Sequence, residues 1–232
     1  MVIDTFILYH HLGLGDHFVC NGLVHYVSKN ANVTLICKKQ HVECISHLYE
    51  DFKNITIYPI EKEPDDVFKL SQDTQIPILR VGFENTDLNS FEKSFYYQLN
   101  IPFEVKNEYF TLPSNLSKSN KFYNKVKNDL GEDYIFVHNE STAGVYDLAI
   151  DSPLPKFFVR KEDTKDILDY IHTICFAKEI HFINSGLFPL IVGLLYQNKI
   201  KTDKVFFHNT RKLSEGGLHI ELPENIIRIN YE

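Results

Sequence analysis

Short apolar runs alternate with longer amphipathic stretches along this chain, and the alternation lapses once, over residues 100–120, before it starts again. That rhythm is the one expected of βαβ units, in which helices cover the faces of a parallel sheet. Residues 6–9 predict a first strand and residues 16–29 a helix with Phe18, Val19, Gly22, Leu23, Tyr26 and Val27 on its inner side. Strands follow over 33–37, 55–58 and 76–81, with helices over 41–51 and 65–71 between them, and an aromatic-rich helix over 87–99 closes this half. The lapse carries Asn100-Ile101-Pro102, Leu112-Pro113-Ser114-Asn115 and Ser117-Lys118-Ser119-Asn120, which is turn and linker chemistry.

The pattern then restarts with a helix over 121–130 stopped by Gly131 and a strand over 134–137. A helix over 163–176 has Ile167, Leu168, Ile171 and Ile174 at helical spacing, followed by a strand over 180–183, a helix over 187–196 and a strand over 205–208. The sequence itself shows no internal repeat. The reading is an α/β protein of two domains, 1–115 and 116–232, each a small Rossmann-like unit, facing each other across a cleft lined by strand-to-helix loops. Split this way, 232 residues give two cores near the lower end of the domain size range. Each then leans on the other or on a second copy of the chain, so a homo-oligomer is among the expected assemblies.

A net charge of −7, from 24 Lys and Arg against 31 Asp and Glu, excludes a surface built to grip nucleic acid, which requires cations to neutralise phosphates. A locally positive pocket for one small phosphorylated ligand is compatible with it. No stretch approaches the ~20 apolar residues of a transmembrane helix. The first residues carry neither a basic region nor a small-residue cleavage site, so a cytoplasmic location is expected. Cys20, Cys37, Cys44 and Cys175 form no CxxC pair and read as reduced thiols.

Three loops concentrate chemistry. The first, Tyr9 to His17, holds Gly13, Leu14, Gly15 and Asp16, and its glycines let backbone approach a ligand closely, but position 18 is Phe and the dinucleotide pattern GxGxxG is incomplete. Asp16 reads either as a helix N-cap or as a general base. His10, His11, His17 and His25 lack the spacing of metal ligands, and no metal is expected. The second loop, with His138, Asn139, Ser141 and Thr142, offers hydroxyl and amide groups to phosphate or sugar oxygens, and reads equally as ordinary turn chemistry. In the third, Asn184-Ser185-Gly186-Leu187 joins a strand to a helix whose N-terminus could face a diphosphate, and a plain helix cap is the alternative. Arg160 and Lys161 are either mobile positive charge for that diphosphate or a solvated basic pair.

His11-Leu12-Gly13-Leu14-Gly15-Asp16-His17, followed by Cys20-Asn21-Gly22-Leu23, resembles the amino-terminal loop of GT-B glycosyltransferases, in particular heptosyltransferase-like sugar transferases of bacterial and viral surface-glycan pathways. The patches Val137 to Ser141, Val159-Arg160-Lys161 and Glu179 to Gly186 fall in the order such proteins show in their donor-binding half. The resemblance implies a compact GT-B enzyme with an acceptor-side first domain and a donor-side second domain. Such an enzyme moves a sugar from a nucleotide-diphosphate sugar to the hydroxyl of a glycan acceptor, with inversion and without a metal or other cofactor. It matches Asp16 to the family's proposed base, and Gly13, Leu14, Gly15 and His17 to the acceptor loop. His138, Asn139, Ser141, Thr142, Arg160, Asn184, Ser185, Gly186 and Leu187 fall on the donor side. Asn184 stands where the family commonly has an acid and Pro189 where it has a histidine, and Asn139 removes one carboxylate from the middle loop. A sugar-nucleotide epimerase of the same fold and a non-catalytic nucleotide- or sugar-binding module are the alternatives.

Overall fold

In the first half, the runs over 7–9 and 35–37 are buried at consecutive residues, which is why they read as continuous apolar stretches, whereas the strand over 55–60 exposes Thr56, Tyr58 and Pro59. The computed structural model describes residues 4–84, 86–87, 90–210 and 222–231. Its chain divides into two compact units, Met1–Ser114 and Asn115–Glu232.

The first unit holds β1 (Asp4–Tyr9), β2 (Ala31–Lys38), β3 (Ile55–Ile60) and β4 (Ile78–Arg80) in the order β3-β2-β1-β4. All pairs are parallel, with Ile7 of β1 opposite Thr34 of β2 and Ile78 of β4. Ile7, Tyr9, Leu12, Ile36, Ile60 and Val67 form one core cluster, and Leu70, Ile76, Ile78 and Phe83 pack against it. Val67 and Leu70 belong to the helix that runs Asp65–Thr74.

The helix expected over 16–29 is two helices, α1 (Leu14–Val19) and α2 (Asn21–Ser28), broken at Cys20. The break has a tertiary cause. Tyr96 Oη donates to the Val19 carbonyl at 2.7 Å, and Asn21 Oδ1 accepts the Thr111 N–H at 2.6 Å. After it come α3 (Val42–Leu48), α4 (Asp65–Thr74), α5 (Phe91–Tyr97) and α6 (Val105–Glu108). Of the expected helix over 87–99, residues 88–89 lie outside the described set, and the observed helix starts at Phe91. The segment read as linker contains α6, which packs on α2 where Gly22 lies: a Cβ there would stand 2.5 Å from the Val105 carbonyl oxygen.

The second unit opens with α7 (Ser117–Leu130), which ends at Gly131 with φ 87°. Its sheet orders the strands β11 (Ile227–Asn230), β10 (Val205–Asn209), β9 (Glu179–Ile183), β5 (Ile135–His138) and β8 (Lys156–Phe158), all parallel. β6 (Glu140–Ser141) and β7 (Gly144–Val145) form a small antiparallel hairpin. The helix expected over 163–176 begins later, as a 3₁₀ turn Ile167–Tyr170 followed by α8 (Ile171–Phe176), because the Asp166 carboxylate accepts the Leu168 N–H and caps the element there. α9 (Phe188–Tyr196) is apolar throughout its buried length, and Phe188 packs against Phe182 of β9 and Phe207 of β10.

Each sheet has one point where successive connections leave in opposite directions: between β1 and β4 in the first unit, and between β5 and β9 in the second. In open α/β sheets, ligands bind outside the carboxyl ends of the strands at such a point.

Candidate functional site

The loop after β1 lies at the switch point of the first sheet. Gly13 is the N-cap of α1, so Leu14, Gly15 and Asp16 occupy the first three helical positions. Asp16 is therefore not the capping residue itself. Its carboxylate turns back over Gly13, so closely that a Cβ on Gly13 would stand 2.5 Å from Asp16 Oδ2, and the Gly13 N–H supports the charge. Burial is the larger effect and pushes the Asp16 pKa up to about 6, against the pull of His11, the Gly13 amide and Lys38, while Glu92 adds to the rise. A half-buried carboxylate that titrates near neutrality is suited to accept a proton.

His11 packs its ring at a tilt against Phe83, centroids 4.8 Å apart, and meets Phe91 and Phe95 edge-on. His17 is not on the loop surface. It is fully buried against His10, ring centroids 4.6 Å apart, and neither of its ring nitrogens has a hydrogen-bond partner among the described residues. Burial drives the pKa of His10 down to about 4 and that of His17 well below its usual value, so both are neutral. At the end of β4, Arg80 joins Phe83, Glu84 and Gln98 in lining a cavity of about 230 Å³, with the Arg80 guanidinium 4.5 Å from the Phe83 ring and its Nη1 2.9 Å from Glu84 Oε1. The sequence reading missed this group, although Gly82 directly after a strand signals it: its φ of 85° turns the chain toward Phe83.

At the switch point of the second sheet, His138 ends β5 and Ser185 follows β9, and the Ser185 hydroxyl lies 3.1 Å from His138 Nδ1. Burial holds the His138 pKa down near 4, with Arg160 acting in the same direction and Glu140 against it. The ring is thus a neutral partner for the hydroxyl. Arg160 donates from Nη1 to Asn139 Oδ1 at 3.0 Å and to the Val159 carbonyl at 2.8 Å, and Asn139 in turn donates to the Tyr146 carbonyl at 2.7 Å. Arg160 is therefore fixed rather than mobile, and Lys161 pairs with Glu140 at 2.8 Å.

The structure thus joins His138 with Ser185 and Asn139 with Arg160. Ser141 is buried and accepts the Ala143 N–H, whereas Thr142 is exposed at the tip of the β6–β7 hairpin. The third loop is a turn, Asn184 to Leu187, and α9 starts one residue later than expected, at Phe188. The amides of Ser185, Gly186 and Leu187 donate to no main-chain carbonyl among the described residues. Tyr146 was missed as well; it holds Asn139 through backbone groups, which leave no side-chain pattern to read. Among the described residues no group of three or more His, Cys, Asp or Glu is placed to hold a metal ion.

No protein-family model matches the chain, and no curated protein does. A solved structure described as glycosyl transferase family 9 from Veillonella parvula is similar over 100% of this chain and 90% of its own, with a TM-score of 0.57 and 10% sequence identity. At that identity the likeness concerns the fold, and it is with the backbone of that glycosyltransferase that the two Rossmann-like units of this chain agree.

Proposed function

We propose that the chain is a glycosyltransferase that moves a sugar from a nucleotide-diphosphate sugar to an acceptor hydroxyl in glycan biosynthesis, with inversion and without a divalent metal, in the cytoplasm. The first unit takes the acceptor and the second the donor. The observation that carries this reading is Asp16, a carboxylate at a sheet switch point whose pKa of about 6 lets it take a proton near neutral pH. The fold likeness to a family 9 glycosyltransferase supports it.

In the reaction Asp16 takes the acceptor proton, the acceptor oxygen bonds to the anomeric carbon, and the bond from that carbon to the diphosphate oxygen breaks. The amides of Ser185, Gly186 and Leu187 and the Arg160 guanidinium receive the charge on the departing diphosphate. Asp16→Asn should lower kcat by at least about a hundredfold, the usual worth of a general base, while calorimetry finds nucleoside diphosphate affinity unchanged. Full turnover in that variant would overturn the assignment. Because only the ionised carboxylate acts, kcat/KM should rise with pH and level off above about 6.

The prior engagement of Arg160 with Asn139 favours one rival, a binding module without chemistry. A thermal shift with nucleotide and no transfer across an acceptor panel would decide for it.

A further inference from the structure

Strand alternation places Glu179 and His181 of β9, His208 of β10 and Tyr231, two residues beyond Ile229 of β11, on one face of the second sheet. They form a continuous polar chain. His181 Nδ1 is 2.8 Å from His208 Nε2, and His208 Nδ1 is 2.6 Å from the Tyr231 hydroxyl. Ala149 N–H donates to that hydroxyl at 2.9 Å. At the other end His181 Nε2 makes no hydrogen bond among the described residues but stands 3.6 Å from Glu179 Oε2, within its field, and the Ser152 hydroxyl donates to Glu179 Oε1 at 3.3 Å. Both ends of the chain therefore close on one short segment, through Ala149 and Ser152. His181 and His208 are 4% and 0% exposed, so both rings are shielded from bulk solvent, while Tyr231 reaches the surface.

Its protons can be counted from the Glu179 end. A carboxylate favours N–H over a lone pair at His181 Nε2, which leaves His181 Nδ1 bare to accept from His208 Nε2–H. His208 Nδ1 is then bare as well and accepts the Tyr231 O–H, while the Tyr231 oxygen accepts from Ala149. The Glu179 carboxylate thus sets one tautomer on both rings, Nε2–H with a bare Nδ1.

We propose that these groups are a latch, holding the 149–152 segment and β11 on the second sheet while both imidazoles are neutral, and that one added proton opens it. A proton on Nδ1 of either ring turns an acceptor into a donor and sets it against the N–H or O–H already pointing at it. At the His181–His208 link two N–H groups then face each other and drive the rings apart, and at the phenol the O–H loses its acceptor and turns to solvent. The charged groups around the chain are Glu179, Lys204 at 3.1 Å from it, and Lys156 of β8, with Asp147 and Asp151 of the segment exposed. Burial works against the charge on Glu179, but Lys204, His181 and Ser152 hold its carboxyl below the ordinary value. Burial lowers both imidazoles as well, His208 to about 4. The latch is independent of any ligand and stands or falls apart from the transferase reading.

Nitrogen NMR of the full chain at neutral pH should show His181 and His208 both protonated at Nε2 and bare at Nδ1; Nδ1–H on either ring overturns the proposal. Amide exchange supplies the second readout. A ring that titrates near 4 when closed and near 6.5 when open makes the Ala149 and β11 amides exchange roughly thirty-fold faster at about pH 5 than at about pH 7.5, after correction for intrinsic rates. Protection of Ala149 that ignores pH would overturn the latch. In Tyr231→Phe the Ala149 amide should exchange fast at both pH values; an unchanged pH step there would show that the phenol is not part of it. The spectra of the parent chain decide the matter even if the variant does not fold.

Discussion

In the proposed reaction a single pair of residues, Gly13 and Asp16, sets the chemistry at the first switch point. The glycine has an ordinary φ of −68°, so it is not there for its backbone freedom. It is there for space, because any Cβ would meet the Asp16 carboxylate. Gly13→Ala should therefore swing the carboxylate outward into water, and the pH profile of kcat/KM should move to the acid side of about 6 as Asp16 approaches its ordinary pKa. An unmoved profile would mean that the side chain accommodates the methyl in place. At this scale the sequence conveyed identity but not surroundings. Asp16, His138 and Ser185 stood out as loop residues, but that His138 meets Ser185 or that Arg160 is held by Asn139 depends on neighbours 47 and 21 positions away.

At the scale of elements, hydrophobic period located most of the strands, because a buried strand is an apolar run whatever lies beside it. It failed where tertiary hydrogen bonds decide. The break at Cys20 exists because Tyr96 and Thr111 reach in from far along the chain, and no local signal at Val19 or Asn21 announces them. The short strands β6, β7 and β8 escaped for the opposite reason, since two or three residues carry no period to detect. Gly22 was read as one inner-face residue among several, yet it is what lets α2 approach α6. Gly22→Ala puts a methyl 2.5 Å and 2.6 Å from the carbonyl oxygens of Val105 and Lys106, and backbone cannot step aside as a side chain can. The expected cost is about 1–3 kcal/mol, seen as a fall in Tm of roughly 5–10 °C by calorimetry. A variant as stable as the parent would show that α6 shifts freely.

For the molecule as a whole, the buried histidines govern response to acid. Burial holds His10, His138 and His208 near 4 in the folded chain and His17 well below its usual value, against about 6.5 when unfolded. The unfolded chain then binds more protons between about pH 6.5 and 4, so stability present at neutral pH is lost as pH falls through that window. The three rings with values near 4 contribute on the order of 4 kcal/mol of loss by about pH 5.5. Asp16, whose pKa is raised, works the other way by about 1 kcal/mol. Urea unfolding at about pH 7.5 and 5.5 should show the net loss; equal midpoints would mean that these rings are hydrated.

The sheet orders have a consequence for behaviour in solution. Small sheets have proportionately more margin, and here the margins are β3 and β4 in one unit, β11 and β8 in the other. Three of them are only three or four residues long, and β3 contains Pro59, which offers no N–H. Along these described edges an incoming strand from another molecule finds few unpaired backbone groups to zip onto, which disfavours edge-to-edge pairing there.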